Sequence, residues 1–445
     1  MTAESTTSGA PVEPVSAGRA PVDALVLAGT AAPAVPLSAL GLLRTGAFLV
    51  LYLNAAVVFL GVMAQSIARS WLAFQLTGSN AALGGVLLAF GVTMLVATPW
   101  GGVAADRLPK RLVLQTSILL LAVSSAWIGI AAAGGFVEYW MLLGASVLQG
   151  VGFSLFNPAR MAFLAELLPR EAIPRGVSLL LVNAEVNRVV GPALAGLVIG
   201  TVSFGTAAVF LSSAVLATIG VLLTGALPPG RRRGEPSDRS PLGELLDGVA
   251  YVRRRADLSA LLWCGIGVTM VGLPYLAFLP TVASELFDLG SAGYGVLSAT
   301  SAVGAVVTGL LLGRRSSRTH ETCLFTVAAA VFGLALAGLA VAPGFAMAVV
   351  ALFVIGGAML AFQTTNQSLL LALSDMEFHG RIQGLIMLSF GAFGIAALPL
   401  GLLADAVGLR WTLASMGGGV LAFVALFAVR SRRRIAGANR LRDLG

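Results

Sequence analysis

The sequence predicts an all-α integral membrane fold, with twelve crossing helices arranged as two six-helix bundles. Three observations carry that reading. Of 445 residues, 57% are hydrophobic and only 11% charged, too little charge to clothe a soluble exterior. Uncharged runs longer than ~18 residues recur along the chain, and about 20 helical residues cross a hydrocarbon core ~30 Å thick. Charges and turn residues fall between these runs, and a basic linker divides them six and six. Backbone groups in lipid must be bonded internally. The runs lack the short alternating strands of a barrel, so the crossings are helices.

Residues 1–43 are rich in Ala, Pro, Ser, Thr and Val. They lack the basic start and immediate apolar core of a secretory signal, and read as a flexible cytoplasmic tail. Crossings are expected at 45–68, 81–105, 112–134, 140–160, 177–200 and 207–227, giving a first bundle over 44–227. The linker, 228–257, opens with "PPGRRRGEPSDRSP", a disordered composition. From Leu242 onward, Leu245, Leu246, Val249 and Val252 recur at helical spacing, which predicts an amphipathic helix on the inner surface. The second bundle, 258–430, holds crossings at 258–284, 293–313, 322–342, 346–373, 384–403 and 411–429, before a basic tail at 431–445. A faint repeat supports two related halves. "GVAADRLPKR" at 102–111 and "GLLLGRRSSR" at 309–318 share Gly, Arg and a final Arg at a shift of 207, with Asp106 replaced by Gly313.

The net charge is +8, with 28 Lys and Arg residues. They cluster in short connections, not in a nucleic-acid-binding face. With the N-terminus inside, the inner side holds 25 of them, counting Arg160, and the outer side only Arg410, while Arg69 and Arg188 lie within spans. That asymmetry places both termini in the cytoplasm of a multi-pass protein of the cell inner membrane. Cys264 and Cys323 form no disulfide framework, and His320 and His379 lie in polar connections without a ligand cluster. No metal site, cofactor site, nucleophile–base set or phosphate loop is visible, so no enzyme is expected.

"GGVAADRLPKR" closely resembles the loop motif of the major facilitator superfamily, G-x-x-x-D-R-x-G-[KR]-[KR]. Gly102, Asp106, Arg107, Lys110 and Arg111 match, and Pro109 stands where the family usually has Gly. "SWLAFQLTGS", "FSLFNPARMAFLAELLPREAIPRGVSLL", "RVVGPALAG", "ELLDGVAYVRRRADLSALL" and "GLLADAVGLRW" are similar to the bacterial branch of enterobactin exporters and proton-driven multidrug efflux pumps. The resemblance spans about 42–430. It implies two bundles rocking about a central cavity and export driven by protons. It also implies that Asp106 latches the inner gate against the eleventh helix, with Arg107 neutralising it. Lys110 and Arg111 are explained mainly by topology.

"NAEVNRVVGPALAG", 183–196, puts Glu185 and Arg188 three positions apart, about nine and twelve residues into the fifth span. Positions i and i+3 share a face, so the two can pair ~13–18 Å deep. Two readings stand: a structural ion pair, or a cavity site where Glu185 exchanges protons. Arg188 matches the family's Arg before Gly-Pro, whereas many relatives carry Asn in place of Glu185. Gly191, Pro192 and Gly196 resemble the antiporter motif G-P-x-x-G, with Asn187 in place of an earlier Gly; ordinary close packing is the alternative. Asn54 and Gln65 on the first span, and Gln363, Asn366 and Gln367 on the tenth, are expected to line the cavity or to serve as interhelical glue. Arg69 is expected to snorkel to the outer surface, with a cavity role for anionic substrates as the alternative. Trp71, Phe74, Phe153 and Phe156 offer apolar contacts, with packing as their default.

These expectations amount to a monomeric secondary transporter in the lipid bilayer, exporting a small amphipathic compound (a drug, siderophore or metabolite) with protons as the coupling ion. Movement of lysophospholipid or another lipid by the same fold is the second reading. A non-transporting receptor or scaffold is the third.

Overall fold

A computed structural model describes residues 39–169, 172–202, 204–228, 241–313, 321–375 and 378–442. Twelve helices are long and apolar enough to cross a membrane. The first bundle comprises α1 (Gly46–Thr77), α2 (Asn80–Arg107), α3 (Lys110–Ala133), α4 (Tyr139–Leu167), α5 (Ile173–Thr201) and α6 (Gly205–Gly225). The second begins with α7, Ala256–Gly272, which breaks at Leu273–Pro274 and resumes as Tyr275–Thr281 and a π turn, Val282–Leu286. It continues with α8 (Ser291–Gly313), α9 (Glu321–Ala340), α10 (Phe345–Leu373), α11 (His379–Val407) and α12 (Leu409–Arg442). We call the end carrying the Arg-rich connections the basic end and the opposite one the far end.

Local chemistry fixes the turns. Gly78 closes α1 in the left-handed region, φ 62°, donating its N–H to the Phe74 carbonyl at 2.8 Å. Ser79 then caps α2 by accepting from the Ala82 N–H, so two residues join antiparallel helices. Gly408, φ 93°, does the same alone between α11 and α12. Pro109 sits at the N-cap of α3, where a missing N–H costs nothing. Prolines 99, 158, 192 and 399 lie inside α2, α4, α5 and α11.

The packing has the symmetry of the repeat. In the first bundle α1 packs on α5 and α6, α3 on α4 and α6, and α2 on α4. Adding six to each number gives the main packing pairs of the second bundle: α7 on α11 and α12, α9 on α10 and α12, and α8 on α10. The two seams between bundles, α2 on α11 and α5 on α8, exchange under the same shift. The second copy of the repeated loop, 309–318, leaves the described residues at position 314.

Core side chains fall into two clusters. One runs through the second bundle and on into the far-end half of the first, through Ile67, Trp71, Leu83, Ala195 and Ile199. The other, including Phe48, Leu51, Val58, Leu114, Phe156 and Leu164, belongs to the basic-end half of the first bundle alone. The bundles therefore share one apolar core at the far end, and the first keeps a separate core at the basic end.

The linker helix, Pro241–Arg254, docks on the α10–α11 connection. Tyr251 stacks on Phe378 with centroids 3.9 Å apart, and its hydroxyl donates to Asp375 Oδ2 at 2.9 Å. Val252 is buried, while Leu246 stands exposed.

Most crossings run longer than the sequence placed them, although α9 and α6 do not. The fourth was expected to stop at Arg160, the first charge met, but α4 continues to Leu167 and buries Arg160. Arg160 therefore leaves the inner-loop count without changing the sense of the asymmetry.

The α5–α8 seam gives a direct check. A Cβ on Gly200 would stand 3.4 Å from that of Ala292, near the spacing a disulfide spans. With Cys264 and Cys323 replaced by Ser, cysteines at 200 and 292 should cross-link under mild oxidation and be released by reductant, as read by protease fragmentation on gels. An absent cross-link would mean that these helix ends do not meet.

Candidate functional site

The seams hold the first set of functional geometry. Asp405, in the last turn of α11, caps the start of α2 across the bundle boundary. Its Oδ2 accepts from Ser79 Oγ at 2.7 Å and from the Ala81 N–H at 3.0 Å. Its Oδ1 accepts from the Asn80 N–H at 2.8 Å and from Asn80 Nδ2 at 3.0 Å. Four donors and the positive end of α2 converge on one carboxylate. Below it the backbones touch: a Cβ on Gly84 would collide with the Ala397 carbonyl. Beside it, Trp71 stacks on Tyr294 at 5.4 Å, and the Tyr294 hydroxyl donates to the Ile67 carbonyl at 3.0 Å. Trp71 is thus a seam residue. Arg410, the one basic residue expected on this side, caps the end of α9 by donating to the Ala340 and Ala342 carbonyls.

The antiporter-like motif divides its labour. A Cβ on Gly191 would lie 2.6 Å from Met63 Cβ on α1, within the bundle. One on Gly196 would lie 2.6 Å from Gly295 Cα on α8, across the seam. Pro192 lies half-buried between them, and Asn187 turns its amide to Asn183, one turn back on α5.

Half-way along α5 stands the ion pair. Arg188 Nη2 lies 3.7 Å from Glu185 Oε1, with both side chains nearly half exposed. Arg188 Nη1 donates to Gln363 Oε1 of α10 at 2.7 Å. That bond crosses from one bundle to the other, so this face of α5 looks toward the second bundle. Gln363 is half-buried there; Asn366 and Gln367 are also half-buried, and Asn366 packs on Gly265 of α7 within its own bundle.

The first-bundle amides are a correction. Asn54 is fully buried and donates to the Gly220 carbonyl and to Thr224 Oγ1 of α6. Gln65 is buried and accepts from Ser125 Oγ of α3 at 3.0 Å. Arg69 does not snorkel. It is buried and donates to Gln65, Ser146 and Gln149. These three side chains tie helices of one bundle together and line no open surface, because hydrogen bonding inside the bundle outweighs the reach to water.

At the basic end, Lys110 Nζ pairs with Glu166 Oε2 at 2.7 Å and is almost wholly buried. Lys110 thus fastens the start of α3 to the end of α4, a bond the motif alone did not suggest. Arg107 is exposed and Arg111 half-buried. The side chains of Asp106 and Gly102 lie outside the described residues.

Sequence reasoning also missed Asp405, Glu166 and the burial of Arg160. For Asp405 a signal existed: an acid one turn before a Gly-ended helix, in a stretch already marked by resemblance. Its partner is 325 positions away, which no local pattern reveals.

Twelve crossings, two bundles exchanged by a shift of six, and seams at α2–α11 and α5–α8 define a transporter of the major facilitator class. Residues 37–441 match the transmembrane secretion effector family, and the chain belongs to that family. It is 25% identical over 328 residues to macrolide efflux protein A of Enterococcus faecalis, covering 73% of this chain and 100% of that one. It is 22% identical over 386 residues to the staphyloferrin A transporter of Staphylococcus aureus, covering 85% and 95%. Among solved structures, a bacterial homologue of the human lysosomal transporter Spinster, in an inward-facing and unoccupied conformation, superposes with a TM-score of 0.72. Its identity is 14%, over 87% of this chain and 97% of that one.

Two outcomes follow from this geometry. Removing the cap with Asp405→Ala should slow the 200–292 cross-link several-fold, because charge-assisted bonds worth about 1.5–3 kcal/mol each no longer hold the seam shut; an unchanged rate would show that the cap does not fasten the seam. In a background without exposed native thiols, a cysteine at Gln363 should react with a water-soluble maleimide while one at Asn54 should not, and labelling at Asn54 would place it on an open surface.

Proposed function

We propose that the chain exports a small amphipathic compound by alternating access, driven by protons entering through Glu185. The carrying observation is the Glu185–Arg188–Gln363 chain. It puts an acid, its counter-ion and a polar partner from the other bundle on one exposed face, half-way along a crossing helix. A structural pair is better buried, where water does not compete for its hydrogen bonds. An exposed pair on the face that looks toward the second bundle suits a group that exchanges protons and changes partner as the bundles rock.

The basic end faces the cytoplasm in this reading, following the charge asymmetry, and both termini lie there. The shared far-end core and the separate basic-end core support an inward-open state. Outward opening then requires the Asp405 cap and the Trp71–Tyr294 stack to part, while Asp106 and Arg107 secure the basic end. Protonation of Glu185 releases Arg188. Its return to the carboxylate accompanies release of the proton inside. The names of the similar proteins, an efflux protein and a siderophore transporter, support export of a drug-like or siderophore-like compound.

Glu185→Gln fixes the neutral form. In inverted vesicles with an acidic lumen, wild-type protein should accumulate ethidium and lose it when a protonophore is added. The variant should still exchange ethidium down its gradient but accumulate at least tenfold less. Wild-type accumulation by Glu185→Gln at equal protein level would make the pair structural. No accumulation by either form would favour a lipid transporter or a scaffold.

A further inference from the structure

The charge that the proposed cycle leaves unused is Arg160. It lies three-quarters of the way along α4 and is only 3% exposed. Its guanidinium carbon is 4.8 Å from the centroid of the Phe59 ring on α1 and 5.4 Å from that of Phe156. Phe59 meets Phe153 edge-on at 5.9 Å, and Phe153 lies 6.3 Å from Phe90 of α2. Two rings thus flank the cation, and Phe153 and Phe90 extend the aromatic cluster to α2. Nη2 donates to Asn157 Oδ1 at 3.0 Å. Nε and Nη1 are buried without any hydrogen-bond partner.

Ring faces compensate part of a guanidinium's charge. They do so more weakly than an oxygen acceptor bonded to its N–H groups. A buried cation with free donors is costly in an apolar interior. Among the described residues, Glu166, Glu185 and Asp257 are taken by Lys110, Arg188 and Arg255, and none is paired with Arg160. The contrast with Arg69 is informative: its two terminal nitrogens donate to Gln65, Ser146 and Gln149, leaving only Nε free. Arg69 is held by its own bundle, whereas Arg160 is held by rings and has donors to spare. Phe153 and Asn157 are half-buried, whereas Phe59, Phe156 and Arg160 are buried.

We infer that Arg160, with Phe59, Phe153 and Phe156, forms a subsite for the anionic head of the exported compound: a carboxylate, or a similar single oxyanion, carried on an aromatic or apolar body. The oxyanion accepts from the free Nη1–H at the outer edge of the guanidinium, and the body displaces Phe153 and packs on the remaining rings. The inference rests on the exporter reading for the source of the ligand, but not for the binding chemistry.

The test compares two probes that differ only in charge, 1-naphthaleneacetate and its neutral twin 1-naphthaleneacetamide. Both are radiolabelled and bound to the full chain in phosphatidylcholine nanodiscs. Wild-type protein should bind the acetate at least tenfold more tightly than the amide. Arg160→Gln should abolish that preference while leaving amide binding within twofold. Phe153→Leu should weaken both. An azide-bearing naphthaleneacetate should photolabel α1 and α4 of the wild type, which keeps the proposal testable if Arg160→Gln does not fold. Equal binding of the two probes by wild type, a preference that survives Arg160→Gln, or labelling confined to other helices overturns the subsite. So does displacement of the acetate by equimolar phosphatidylglycerol, which would assign the pocket to a lipid headgroup. Equilibrium binding needs no gradient. A chain that prefers the acetate yet accumulates nothing overturns the exporter reading alone, and one that accumulates ethidium without that preference overturns the subsite alone.

Discussion

The far-end seam is the contact on which the rest of the arrangement depends. Two bundles of apolar helices have little reason to associate inside lipid, where an exposed Leu is as well solvated as a buried one. What brings them together is close backbone approach at Gly84, Gly196 and Gly200, together with a carboxylate delivered onto the start of α2. Dispersion over touching backbones and four hydrogen bonds to Asp405 are short-ranged. They act fully or hardly at all as the surfaces part. The apolar core that the bundles share continues beneath the seam.

That requirement explains how polar groups are distributed in the first bundle. Asn54, Ser213, Ser124 and Ser125 send their hydrogens to other helices of the same bundle or to their own backbone. Arg69 extends this network toward the far end. Such bonds make the bundle rigid, since breaking one strands a polar group without water to replace its partner. The partly exposed polar groups Glu185, Arg188, Gln363 and Gln367 instead lie where the bundles face each other.

The crossings, their number, the division at the linker and the position of the Glu185–Arg188 pair were legible in the sequence, because hydrophobic run length and charge spacing are local properties. What was not legible depended on direction. A helix wedged between neighbours and lipid is apolar on every side, so Asn54 and Gln363 look alike in sequence although one is sealed and the other stands at the bundle boundary. Arg160 was misread because a span was ended at its first charge, whereas aromatic rings allow a guanidinium to continue inside. Asp405 and Glu166 find their partners across 325 and 56 positions, and no periodicity encodes that.

Glu166, Asp405 and Glu185 lie at three heights, and their positions determine what each can do in the proposed cycle. Glu166 sits at the basic end beside Lys110, and Asp405 at the far end on α2. Rocking the bundles does not move either group from one aqueous phase to the other, so neither can carry a proton across; each can only strengthen or weaken a closure. Glu185 is half-way along α5, on the face that meets the second bundle. In the proposed cycle that face opens toward the basic end while the far end is sealed, and the other way once the far end parts. A group that must bind a proton on one side and release it on the other has to occupy such a position. The Arg188 beside it supplies a partner that keeps the deprotonated state tolerable during each passage.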